Sequence, residues 1–162
     1  MHKLSWKEFD ECIISISRQC INKNFEGVYG FPRGGICIAV ALSHSLGLPL
    51  LDEPRNNSLI VDDIYDTGLT LERIRHLKGS ETHVWVSRIK PTWWKAYKNL
   101  QGKEWVVFPW ENINFAINDM DLYYKSREWF NIYHINLLDL SRPDDEFNGL
   151  KLNNLSNFRE NS

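Results

Sequence analysis

One run constrains this chain more than any other. Residues 59–61, Leu-Ile-Val, form a short apolar segment of the kind that makes a buried strand in a parallel sheet. The segment runs directly into Asp62-Asp63, and Ile64-Tyr65-Asp66-Thr67-Gly68-Leu69-Thr70 follows. The expectation is a strand over 59–61, an acidic turn over 62–68 and a helix from residue 70 to about 77. Adjacent acids at the end of a buried strand are costly unless they meet hydroxyls, a metal or cations. A Thr/Gly turn opening a helix presents backbone N–H groups and hydroxyls to an anion. Taken together, the run describes a cradle for a sugar phosphate.

The flanking sequence supplies a scaffold for that cradle. Trp6, Phe9, Ile13, Ile16 and Cys20 recur at helical spacing, with Ser5 and Glu8 placed for a capping box and Leu4 for a staple onto Phe9. Residues 28–31 read as a short strand and Pro32-Arg33-Gly34-Gly35 as a turn. Residues 36–46 then form an apolar helix stopped by Gly47. A helix apolar all round belongs against a sheet. Two further strands are expected over 83–88 and 105–108. Strand, loop and helix repeated with short connections predict an α/β fold, a mostly parallel sheet with helices on both faces and ligands at the carboxyl ends of the strands. Between 121 and 140, Leu122, Trp129 and Tyr133 have helix-like spacing, but the pattern leaves the assignment open. The expected organisation is one domain over 1–142, with a C-terminal extension from about 113, and a flexible, asparagine-rich tail over 143–162.

Composition narrows the function classes. The chain has 162 residues and a net charge of −2, which gives no general attraction to phosphate backbones or anionic lipid, so neither nucleic acid nor membrane is an expected partner. No stretch reaches the length of a membrane span, and the expected location is cytoplasmic. The cysteines, Cys12, Cys20 and Cys37, are odd in number, lack Cys-x-x-Cys spacing and read as reduced thiols. The five histidines are too scattered for a zinc site. Seven tryptophans are unusual, and Trp85, Trp93, Trp94, Trp105 and Trp110 crowd one stretch.

The run from Ile60 to Leu71 resembles the phosphoribosyl pyrophosphate motif of the type I phosphoribosyltransferases: two hydrophobics, two acids, then Asp-Thr-Gly-x-Thr. The resemblance implies that Asp62 and Asp63 hold the ribose 2′- and 3′-hydroxyls. It implies that Asp66, Thr67, Gly68, Leu69 and Thr70 wrap the 5′-phosphate and that Asp66 is the catalytic general base near the purine N7. Phe31-Pro32-Arg33-Gly34-Gly35 stands where the family has its pyrophosphate loop, which gives Arg33, Gly34 and Gly35 to the diphosphate. Lys90-Pro91, with Trp105-Val106-Val107-Phe108-Pro109-Trp110-Glu111 downstream, is similar to the xanthine-guanine branch of the 6-oxopurine enzymes. That implies Lys90 as donor to the 6-oxo group, Trp105 as stacking ring and Val106 as a main-chain contact. Trp93 and Trp94 are left with two roles, covering the base or packing a subunit interface.

The implied reaction, of the kind used in purine salvage, moves the phosphoribosyl group from phosphoribosyl pyrophosphate to a free nucleobase (guanine, xanthine or hypoxanthine). Mg²⁺ is the implied cofactor, held through substrate near Asp62 and Asp63 with no direct protein cage, and a homo-oligomer is the implied assembly. The resemblance covers roughly residues 6–112 and breaks at one point. Type I enzymes usually carry a long mobile loop between the second and third core strands, whereas here residues 52–58 alone separate Leu51 from Leu59. Either the Trp93-Trp94 region, the C-terminal extension or a neighbouring subunit then closes the site, or turnover is slow and leaky to hydrolysis. The alternatives are a non-catalytic sensor of phosphoribosyl pyrophosphate or a nucleotide, or a transferase for a different base.

Overall fold

A computed structural model describes residues 1–100 and 102–139. The elements run β1 His2–Lys3, α1 Trp6–Cys20, β2 Val28–Gly30, α2 Gly34–Leu46, β3 Leu59–Tyr65, a 3₁₀ turn Leu71–Ile74, β4 Glu81–Ser87, β5 Lys95–Asn99, β6 Val106–Val107 and α3 Ile113–Asp139. A four-stranded sheet has the order β2-β3-β4-β5 with every pair parallel, and β1 pairs with β6 in a separate parallel ribbon. This is the mixed α/β architecture with parallel strands that the sequence pattern predicts. The chain divides into two compact units, Met1–Ala116 and Ile117–Ser162. Every residue proposed for chemistry lies in the first, and the expected tail over 143–162 lies outside the described residues.

The N-terminal helix forms as its sequence dictates. Ser5 and Glu8 close the capping box, with Glu8 N–H donating to Ser5 Oγ and Ser5 N–H donating to Glu8 Oε2. Phe9, Cys12, Ile13, Ile16 and Cys20 are buried, whereas Trp6 is 56% exposed despite its place on the stripe. Helix α2 starts two residues earlier than expected and ends at Gly47 in the left-handed region, φ 65°. Only one of its faces is buried, through Gly35, Ile38, Ala39 and Leu42. Ile36 and Val40 are exposed, so its uniform apolarity overstates its burial.

Two cores flank the sheet. The larger joins α1 and α2 to Val28, Leu59, Val61, Trp85 and Phe108. The smaller joins Tyr65, Leu71, Val84 and Trp94.

Strand β3 is longer than the apolar triplet suggests. Its ladder with β4 pairs Asp62 with Val84, Ile64 with Val86 and Tyr65 with Ser87, so the acids lie within the strand and not in a turn. Main-chain pairing is indifferent to the acids, and Ile64 and Tyr65 are strong strand formers that carry the ladder past them. The helix expected from residue 70 is only the 3₁₀ turn. Residues three apart lie on one side of a 3₁₀ helix, and that geometry buries both Leu71 and Ile74. The strand expected over 83–88 runs instead over Glu81–Ser87, and that expected over 105–108 is the two-residue β6.

Residues 52–58 lead into the amino end of β3, the end away from the acids. Asn57 N–H donates to Lys78 O (2.9 Å), Lys78 N–H to Asn56 Oδ1 (2.8 Å), and Glu26 N–H to Asn57 O (2.7 Å). These bonds pin a tight turn.

Candidate active site

The Arg33-Gly34-Gly35 turn and the acid pair abut. A Cβ on Gly34 would lie 1.7 Å from Asp63 Oδ2, and one on Gly35 would lie 3.1 Å from Asp62 Oδ1 and 2.8 Å from Val61 O. Both positions therefore exclude any side chain while the carboxyls keep their places. Phe31 N–H donates to Val61 O (3.1 Å), binding the turn's entry to β3, and the Pro32–Arg33 peptide is cis. Burial, and then the charge of Asp63, push the Asp62 carboxyl well above its ordinary range. Burial also pushes Asp63 up, against the pull of the Ile64 N–H, and the charge of Glu111 adds to it. Two adjacent acids that resist ionising are poised to ionise when hydroxyl donors or a cation arrive.

The Asp66-to-Thr70 turn follows β3. Gly68 has φ 79°, and a Cβ there would stand 2.3 Å from the Tyr65 hydroxyl oxygen. Thr67 and Thr70 are exposed, and Leu69 N–H lies 3.5 Å from Thr67 Oγ1. The turn is braced from outside. Tyr65 and Trp94 stack at 3.7 Å between ring centroids with planes 5° apart. The Tyr65 hydroxyl and Trp93 Nε1 both donate to Glu72 Oε1 at 2.9 Å, and Arg75 lies over the Trp93 ring. Trp93 and Trp94 thus pack on this turn, a role sequence reasoning missed. Nothing in the spacing of residues 65 and 94 signals their stack.

Of the residues expected to meet a base, Lys90 lies after β4, Trp105 just before β6 and Val106 within it. The Ser87 hydroxyl donates to Ile89 O (2.7 Å), bending the chain at the strand end, and Lys90 stands exposed beyond the bend. Trp105 is half-buried, with its carbonyl accepting from His2 N–H (2.8 Å), and Val106 is buried in β6. Glu111 Oε2 accepts from Phe108 N–H (2.8 Å) and so holds the turn after β6. Asp66 and Arg88 form an ion pair (Oδ1 to Nε, 3.5 Å). Arg88 was not anticipated; the only signal was an arginine closing a buried strand two residues before Lys90.

At the other end of β4, Cys20 Sγ lies 3.8 Å from buried His83 Nε2, which meets Glu81 Oε2 at 3.3 Å. Cys12 and Cys20 are buried free thiols and Cys37 is half-buried. No helix among the described residues is long and apolar enough to cross a membrane.

A parallel α/β sheet with an acid pair inside one strand, a glycine turn against it and a Thr-Gly turn beyond is the arrangement that the resemblance to phosphoribosyltransferases implies. Comparison with known proteins agrees. No family model matches the chain. The chain is 23% identical over 133 residues to the xanthine-guanine phosphoribosyltransferase of Chromohalobacter salexigens, covering 67% of this chain and 82% of that one. Among solved structures, the purine phosphoribosyltransferase of Pyrococcus horikoshii superposes with a TM-score of 0.56 at 26% identity, over 69% of this chain and 94% of the other. The xanthine-guanine-hypoxanthine enzyme of Helicobacter pylori gives 0.52 at 21% identity, over 73% and 98%, a likeness of fold. In fold and in the pattern of its loops the chain is similar to the type I phosphoribosyltransferases, the xanthine-guanine enzymes among them.

Proposed function

We propose that this enzyme transfers the 5-phosphoribosyl group of phosphoribosyl pyrophosphate to N9 of a 6-oxopurine (guanine, xanthine or hypoxanthine) and releases pyrophosphate. The observation that carries the reading is the abutment of Gly34 and Gly35 on Asp62 and Asp63, which sets a diphosphate turn beside a pair of ribose-binding acids. The C1–O bond breaks through an oxocarbenium-like state as C1–N9 forms, so the protein must align both partners and neutralise the departing diphosphate. Arg33 and the Gly34-Gly35 amides take that diphosphate. Asp62 and Asp63 accept from the ribose 2′- and 3′-hydroxyls, and residues 66–70 wrap the 5′-phosphate. Asp66 receives the purine proton, Lys90 donates to the 6-oxo oxygen, Trp105 stacks on the base and the Val106 main chain contacts its edge.

The donor set fits Mg²⁺ held mainly through substrate. It offers two adjacent carboxylates, Asp62 and Asp63, against the Gly34-Gly35 turn. When bound, the ion neutralises charge on the diphosphate. The expected homo-oligomer and the absence of nucleic-acid and membrane partners belong to this same reading.

A pyrophosphate-release assay with phosphoribosyl pyrophosphate, Mg²⁺ and a panel of bases tests it. Guanine, xanthine or hypoxanthine should be used in preference to adenine, which presents an amino donor to a cationic donor. Lys90→Ala should erode the preference of guanine over adenine, whereas Trp105→Ala should weaken all purines together. Adenine or a pyrimidine used as well as guanine would reject the 6-oxopurine assignment. Transfer to no base would favour the sensor reading, which the pinned turn over 52–58 supports because it offers no lid.

A further inference from the structure

Arg88 follows the last residue of β4, and its polar groups reach into two loops. Nη1 donates to Gly102 O at 2.7 Å and Nη2 to Glu104 O at 2.6 Å, both in the segment that leads into Trp105. Nε faces Asp66 Oδ1 at 3.5 Å, and the Arg88 N–H donates to Tyr65 O at 3.0 Å. The side chain is 15% exposed, whereas Gly102 and Glu104, whose carbonyls it meets, are themselves exposed. A guanidinium is a rigid planar fork, and one that grips two carbonyls with its ends and a carboxylate with its third nitrogen holds all three at fixed separation.

We infer that Arg88 is a positioning residue that sets the phosphate turn at Asp66 and the Trp105 loop at one fixed span, so that a ligand bridging both depends on it and a ligand touching one does not. This rests on the reading under Proposed function, in which Asp66 and Trp105 serve opposite ends of a nucleotide. Guanosine 5′-monophosphate spans the two loops, whereas ribose 5-phosphate engages only the acid pair and the phosphate turn. Lysine keeps the cation beside Asp66, but its single nitrogen cannot serve two separated carbonyls and a carboxylate together.

Calorimetric titration of the full chain and of Arg88→Lys with guanosine 5′-monophosphate and with ribose 5-phosphate decides the matter, with Arg88→Met as a second variant that keeps the packing of the stem. In Arg88→Lys the nucleotide should bind about tenfold more weakly, as expected for losing one or two main-chain hydrogen bonds. Its ribose 5-phosphate affinity should stay within about twofold. In a Trp105→Ala background the loss on nucleotide should largely disappear, because the loop then has no ring to place. Parallel losses on both ligands, or losses additive with Trp105→Ala, would overturn the positioning role and leave Arg88 a structural brace. Unmodified protein that binds ribose 5-phosphate but not the nucleotide, and transfers to no base, would instead overturn the transfer reading, and the inference with it.

Discussion

Gly34→Ala offers a way to displace one carboxylate without deleting it. The added Cβ would lie 1.7 Å from Asp63 Oδ2 and 2.4 Å from its Cγ, yet 3.0 Å from its Cβ. Rotation about χ1 moves the first two atoms away but leaves the third at 3.0 Å, so the Asp63 carboxyl swings aside and the backbone must also give by about a few tenths of an ångström. Leaving its rotamer costs about 0.5–1.5 kcal/mol, partly offset by alanine's helix preference of up to about 1 kcal/mol over glycine in the first turn of α2. With the residual close contact, stability should fall by about 1–3 kcal/mol. The ribose hydroxyl bond to Asp63 is lost, and a hydrogen bond to a charged acceptor contributes about 1.5–3 kcal/mol, which corresponds to roughly 10- to 100-fold in affinity. Titration with ribose 5-phosphate and a thermal melt read the two quantities separately. Gly47→Ala is the control. Nothing stands within 4 Å of a Cβ there, but φ is 65°, so it should cost about 1 kcal/mol of stability with affinity unchanged. If Gly34→Ala weakens binding as much in an Asp63→Ala background as in the unmodified protein, the effect does not pass through Asp63 and the reasoning fails.

Asp66→Asn should lower kcat by about 10²- to 10⁴-fold with a much smaller effect on ligand affinity, since the amide keeps the shape but cannot take a proton; near-normal kcat would leave Asp66 a loop residue only. Trp94→Ala removes a buried ring stacked on Tyr65 and should cost about 3–5 kcal/mol, whereas Trp94→Phe should cost less than the alanine change; hydrogen exchange of residues 66–72 should quicken in the alanine variant. Burial lowers the His83 pKa to about 4 from an ordinary 6.5, so the unfolded chain binds the extra proton first and stability should fall as pH drops through that window. Hydrogen bonds from Lys23 and Lys95 outweigh burial and hold Glu81 at about 2, so its contribution is present above about 4.5 and lost as pH falls towards 2. Denaturant melts of His83→Gln should lack the first decline and keep the second.

What was legible in the sequence was chemistry carried by neighbours in the chain. Ser5 and Glu8 announce their cap and Gly47 its helix end, because each is a local arrangement with a local cause. The errors came where a distant partner decided the outcome. β3 continues past the acids because β4 pairs with it as far as Tyr65 and Ser87. β5 was missed because Lys95–Asn99 is exposed at alternate positions and held by its ladder to β4, with lysines where an apolar pattern was sought. β1 needs Val106 and Val107, a hundred residues away, to exist at all. Trp93 and Trp94 reveal their work only once Tyr65 and Glu72 stand beside them.

Those distant contacts also change what the short connection over 52–58 means. A mobile lid supplies two things, exclusion of water and final alignment of catalytic groups. Here the second is built into the resting protein. Gly34 and Gly35 lie against the acids, the Tyr65–Trp94 stack and Glu72 brace the phosphate turn, and Arg88 ties that turn to the segment before Trp105. Fixed dipoles and charges need no reorganisation when the diphosphate departs, which is where electrostatic preorganisation acts. Exclusion of water gains nothing from this bracing, because the seven-residue turn is pinned to Glu26 and Lys78 at the far end of β3 and cannot reach the acids. Under the proposed function, and where neither the C-terminal extension nor a neighbouring subunit covers the site, alignment without a lid leaves the oxocarbenium-like centre open to water as a competing nucleophile. Release of pyrophosphate in the absence of any base is therefore the side reaction this architecture favours. Substitutions that loosen the bracing, such as Trp94→Ala, should slow base transfer more than they slow that hydrolysis, because water needs no alignment by Trp105 or Lys90.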